Sequence, residues 1–168
     1  MALQLNVKPL LAITLAFTLS LLSACGFHLR GAVDVSADKL LLSLQDERAG
    51  ERLSRSLKRS LQDNGVQLTA DAPYNLKIDK SRFSRESVSL DSSARVDEYS
   101  LTLTVNYTLH SLKSDLTKTE SAIIERVYTY DADDAAAKDE QETLLRNEMY
   151  DAMATRIIRS YMAFDSKK

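Results

Sequence analysis

The sequence predicts an α+β fold of two layers: a four-stranded mixed sheet with two helices packed on one face, in the order β-α-β-β-β-α. Three patterns carry this expectation. From Tyr99 to His110 apolar and polar residues alternate without a break, the signature of a strand with one buried and one wet face. Leu53, Leu57 and Leu61 recur at i, i+4 and i+8, and Met149, Met153, Ile157 and Tyr161 do the same near the C-terminal end, giving two amphipathic helices. Two helices cannot cover both faces of such a sheet, so both are expected on one side.

The segment before the domain is of a different kind. Lys8 precedes an apolar run from Leu10 to Leu22, and no acid occurs before Asp34. A basic start, about a dozen apolar residues and the small residues Ser23 and Ala24 make a secretory signal peptide, cleaved after residue 24. The run is short of the roughly 20 residues that span a bilayer. It ends at Cys25, the single cysteine of the chain. A small-small-Cys ending resembles the bacterial lipoprotein signal, in which the cysteine is acylated and becomes the new N-terminus, so the chain is read as anchored rather than spanning. Residues 25–38 then form a lipidated N-terminus and tether, and residues 39–168 a single domain.

Within the domain, Lys39 to Leu44 is apolar enough for a buried strand, ended by Asp46 to Gly50. The leucine helix follows and stops at Asn64-Gly65, where a left-handed C-terminal cap belongs. Its opposite face carries Arg52, Arg55, Lys58 and Arg59, a solvated face or a docking face for an anionic partner. Val66 to Leu68 starts extended but is interrupted near Pro73. Leu76 and Ile78 alternate with Lys77 and Asp79 as a half-buried strand. The alternation then blurs from Lys80 to Leu90, and Ser87 to Ala94 reads as the tip of a long hairpin. After Tyr99–His110 and a polar turn, Ala122 to Tyr130 is a further strand with Ile124, Tyr128 and Tyr130 on one face. The last helix runs from about Ala136 to Ala163, with Asp133, Asp134, Asp139 and Glu140 at its start, as the helix dipole favours. The strand–helix–strand unit implies a right-handed parallel crossover and the later strands antiparallel pairs. Thr102, Thr104, Asn106 and Thr108 then face outward on a polar, uncovered sheet surface.

Composition narrows the chemistry. Of 168 residues, 22 are basic and 24 acidic; without the leader, 21 basic residues face 24 acidic ones, a net charge near −3. That is no polycation, so nucleic acid is not an expected partner. With two histidines (His28 and His110), no His-Glu-x-x-His and no Cys-x-x-Cys, no metal site is expected, and the four glycines form no phosphate loop, so no cofactor is expected either. Ser89, Ser92 and Ser93 stand in no nucleophile elbow. The chain reads as a binding protein rather than an enzyme.

Particular residues sharpen this. Cys25-Gly26-Phe27-His28-Leu29-Arg30-Gly31 resembles the mature start of the LPS-assembly lipoprotein family, LptE, of Gram-negative outer membranes. Glu98-Tyr99 leading the strand through Thr104-Val105-Asn106, Ala137-Lys138-Asp139-Glu140-Gln141 before the last helix, and Asn147-Glu148-Met149-Tyr150-Asp151 within it agree with the same pattern. The sequence departs from it between Val88 and Glu98. The resemblance implies an outer-membrane lipoprotein, held by acyl chains on Cys25. It also implies a plug-like subunit of the LptD β-barrel that assists barrel assembly and lipopolysaccharide delivery. A periplasm-facing scaffold that handles no lipopolysaccharide is the alternative. Lipopolysaccharide carries phosphates, so an acidic protein needs clustered cations to meet it. The candidates are Lys138, which interrupts an acidic stretch and matches the family pattern, then Arg95, Arg85 and Arg82 around the hairpin.

Overall fold

The structure, a computed structural model, describes residues 39–90, 92 and 94–165. The leader, Cys25 and the tether, residues 1–38, lie outside the described residues. In chain order the elements are β1 (Leu41–Gln45), α1 (Glu51–Asp63), β2 (Gln67–Leu68), β3 (Tyr74–Leu90), β4 (Val96–Ser111), β5 (Leu116–Thr129), a short 3-10 turn (Ala132–Asp134) and α2 (Ala135–Ala163). The sheet has the order β2-β1-β3-β4-β5, with β1 parallel to both neighbours and the other pairs antiparallel.

The sheet thus has five strands rather than the four expected. The extra one is the stretch before Pro73: Gln67 and Thr69 donate backbone hydrogen bonds to the carbonyls of Leu40 and Leu42 at 2.8 and 3.0 Å. Two residues suffice for that ladder, too few to leave an alternation in the sequence. The first strand also begins two residues later than expected, and Lys39, read as part of it, is a buried anchor instead. Its Nζ donates to the Tyr161 carbonyl at 3.0 Å, and it lies 5.1, 5.4 and 5.8 Å from the ring centres of Tyr74, Tyr161 and Phe164. The Tyr161 hydroxyl returns a bond to the Lys39 carbonyl.

Helix α1 ends as its sequence suggests. Gly65 adopts φ 73°, its N–H reaches Gln62 O and that of Val66 reaches Leu61 O, both at 2.9 Å, the paired bonds of a Schellman cap. The cap turns the chain so that Val66 is buried beside Leu61. Leu53, Leu57 and Leu61 are fully buried, and so are Met153, Ile157 and Tyr161 of α2; both helices share one core with Leu101, Leu103, Val105, Tyr107 and Leu109 of β4.

β3 and β4 form one long hairpin, and its register explains why the alternation blurs. Leu76 faces Leu109 and Ile78 faces Tyr107, but the pairing shifts at Asp79, and from there Phe83 faces Leu103 and Arg85 faces Leu101. One inserted residue swaps the inward parity from even to odd positions. A second irregularity lies between Ser87 and Leu90, so the strand continues to Leu90 through what the sequence alone presents as a loop.

Candidate functional site

Among the described residues no element covers the second face of the sheet, which is a lattice of polar side chains. Thr108 Oγ1 donates to Asp79 Oδ2 at 2.7 Å and lies 3.1 Å from Thr119 Oγ1; Ser121 donates to Asn106 Oδ1 at 2.8 Å; Ser100 donates to Glu125 at 2.8 Å. His110 shares a 3.0 Å hydrogen bond with Thr117 here, as expected of a residue on the polar face. Arg82 belongs to this surface: it pairs in register with Thr104 and borders a shallow depression with Lys80 and Asn106. Ile123 and Val127 of β5 face the same side, more than half exposed.

The other candidate cations gather where the hairpin meets the start of α2. Arg85, on the helix-facing side, sits 3.7 Å above the ring of Tyr99 and 5.7 Å from that of Tyr130, and its Nε lies 3.1 Å from Glu142. Arg95, at the hairpin tip, lies 3.8 Å from Asp133. Lys138 stands at the first turn of α2, and among the described residues its side chain makes a long 3.4 Å bond to Gln141 of its own helix. The fold therefore brings Arg85 and Arg95 to acids on either side of Lys138 in sequence and leaves Arg82 on the opposite face of the sheet.

Two residues of this region escape the sequence reading. Glu142 is 8 % exposed and receives Arg85, the Arg146 guanidinium at 2.9 Å and the Tyr128 hydroxyl at 2.7 Å. Arg146 in turn lies 4.1 Å above the ring of Phe83. The signal was present: Glu142 stands seven residues before Met149, on the apolar stripe of α2, and an acid there requires buried partners. Burial, and then the Glu142 carboxylate, push the Tyr128 phenol above its ordinary range, so it stays a donor. The tyrosines Tyr99, Tyr128 and Tyr130 pack on one another, with centres 5.9 and 5.2 Å apart, rather than lining an outward stripe.

A second polar knot closes the far part of β5. Glu120 accepts from Tyr107, from Ser160 of α2 at 2.7 Å and from Lys118. Lys118, then the Tyr107 and Ser160 hydroxyls, hold its carboxyl down at about 2, and burial and Glu120 push Tyr107 up to about 12.

The described residues thus form a one-sided α+β domain with a hydroxyl-rich open face and a cation-bearing end. The LptE family, described as Lipopolysaccharide-assembly, matches residues 33–160, and the chain belongs to that family. It is 27 % identical over 157 residues to the LPS-assembly lipoprotein LptE of Photorhabdus laumondii, covering 91 % of this chain and 85 % of that protein. It is 24 % identical to the LptE of Pectobacterium atrosepticum, over 95 % and 88 % of the two chains. Among solved structures it resembles rare lipoprotein B of Shewanella oneidensis (TM-score 0.65, 27 % identity, 73 % of this chain and 94 % of that one) and a minor lipoprotein of Acinetobacter baumannii (TM-score 0.61, 26 % identity, 74 % and 92 %). The family is one of lipopolysaccharide-assembly lipoproteins of the outer membrane and is not a known enzyme family.

Proposed function

We propose that this protein is a plug-like subunit of the LptD β-barrel, anchored by acyl chains on Cys25, that assists barrel assembly and lipopolysaccharide delivery and contacts lipopolysaccharide itself. The observation that carries the barrel partner is the open sheet face. A sheet of this size normally buries its second side under another layer. Here that side carries hydrogen-bonded threonine, serine and asparagine groups beside the exposed Ile123 and Val127, a largely polar surface suited to a wet surround such as the lumen of a large outer-membrane barrel. Arg82 and Lys80 belong to this docking face rather than to the lipid contact.

Direct contact with lipopolysaccharide falls to Lys138 and Arg95. Arg85 holds the hairpin against α2 between them, through Glu142 and Tyr99. Phosphates would compete with the exposed Arg95–Asp133 pair, which in water is worth at most about 1 kcal/mol. The test is a pull-down of the lipidated protein from detergent-solubilised outer membrane. Recovery of a large barrel protein, lost when Thr104 and Asn106 are replaced by bulky Phe in a variant that still folds, supports the reading. Recovery of other envelope proteins without a barrel would instead support the periplasmic scaffold.

A further inference from the structure

We infer that the groove between α1 and α2 is a phosphate-binding site, gripped by Arg52 and Arg59. This is separate from the hairpin end and does not depend on the barrel assignment. The groove encloses about 480 Å³, and one wall carries Arg52, Arg55 and Arg59. At 1.5 Å rise per residue the three guanidinium groups stem from about 10 Å of a single helix face. The opposite wall offers neutral groups of α2: Thr143, Asn147 and Tyr150.

The arginines are weakly engaged. Arg52 Nη1 donates to the neutral Asn147 Oδ1 at 2.6 Å, which leaves the Asn147 amide N–H₂ as a further donor. Arg59 approaches Asp151 only to 3.9 Å, beyond hydrogen-bond distance, while that carboxylate takes the Ser56 hydroxyl at 2.6 Å. Arg55 pairs with Glu51 one turn back, both ends well exposed. Such surface pairs hold their partners with at most about 1 kcal/mol. With three guanidinium groups against Glu51 and Asp151, the lining keeps a net positive charge within an acidic protein.

The donor set selects the ligand class. A guanidinium fork matches two oxygens of a phosphate, and a tetrahedral phosphate can engage more than one fork at once, whereas a single carboxylate occupies one. The phosphate could arrive on a phospholipid headgroup or as the free ion, and both present this chemistry.

The experiment titrates the full chain in non-ionic detergent with two probes: inorganic phosphate, and phosphatidylglycerol doped into the micelles. Wild type is expected to bind one or both saturably. The Arg52→Gln/Arg59→Gln variant should bind at least about tenfold more weakly with an unchanged melting temperature, while Arg126→Gln, on β5 outside the groove, should match wild type. Saturation by phosphatidylglycerol alone assigns the lipid as source, and saturation by inorganic phosphate assigns the free ion; either supports the site. Equal affinity of wild type and the double arginine variant for both probes, or saturable binding of neither, overturns it. Should the double variant unfold, Arg59→Lys, which keeps the charge but loses the fork, must still weaken binding for the site to stand.

Discussion

Two carboxylates decide how the helical layer is tied to the sheet. Glu142 bonds two arginines and a tyrosine, and each partner also stacks in place: Arg85 on Tyr99, Arg146 on Phe83, Tyr128 on Tyr99. Removing the acid leaves two cations facing each other across a poorly hydrated site. Glu142→Ala should therefore cost about 2–4 kcal/mol, lowered from the fully buried case because both arginines keep a third of their side chains in water. Glu142→Gln should lose less; chemical denaturation of both variants measures it. Glu120 makes a pH-dependent contribution. Its folded pKa of about 2 lies below the ordinary 4.5, so its stabilising effect is complete above about pH 4.5 and disappears as pH falls towards 2. Thermal melts of wild type should lose stability through that window, and Glu120→Gln should show a shallower loss, by about 1–2 kcal/mol at its end. Identical acid profiles would show that the charge of Glu120 is immaterial.

At the scale of elements, the hairpin register is the feature most open to test. Leu103 is fully buried while its neighbour Thr104 lies on the open face. Leu103→Asp should unfold the domain, and Thr104→Asp should leave the melting temperature within a few degrees of wild type. Comparable losses would mean the register is wrong. The cap of α1 gives a finer measure. A Cβ on Gly65 would meet nothing within 4 Å, so Gly65→Ala should cost about 1 kcal/mol through its positive φ alone. These are also the elements that were legible beforehand. The β4 alternation, the leucine stripe and Asn64-Gly65 are local patterns, and local patterns survive in a sequence. What was not legible depended on distant partners. The bulge at Asp79 is set by pairing with β4, β2 is held by the carbonyls of Leu40 and Leu42, and the inward turn of Lys39 requires the rings of Tyr74 on β3, Tyr161 on α2 and Phe164 just after it. Of the candidate cations, the sequence could name them but not sort them, because the parity change at Asp79 is what sends Arg85 to the helical side.

For the whole molecule, the consequence of one-sided layering is a division of labour between faces. The helical side holds the core, the open side is polar, and the cations Arg85, Arg95 and Lys138 collect at the edge where the hairpin meets α2. The proposed lipopolysaccharide contact can therefore be removed without touching either the core or the docking face. Among the described residues Lys138 makes a long bond to Gln141 of its own helix, and neither it nor Arg95, whose side chain is well exposed, belongs to the apolar core, so their replacement leaves that core intact. Lys138→Asp with Arg95→Asp should melt within a few degrees of wild type and still recover the barrel. Its affinity for lipopolysaccharide should fall by at least about tenfold, since each charge-assisted contact to a phosphate contributes about 1.5–3 kcal/mol. The defect should shrink as salt rises, because added ions screen the wild-type attraction and the variant's repulsion alike. Reversal of Arg82 with Lys80, on the other face, should produce the opposite pattern: weakened barrel recovery with lipopolysaccharide affinity intact. The discriminating measurement is binding at low ionic strength, where electrostatic differences are largest. If the folded Lys138→Asp/Arg95→Asp protein binds lipopolysaccharide there as wild type does, the cationic end is not the contact, and recognition must rest on apolar groups such as the exposed Val88 and Leu90 of the hairpin.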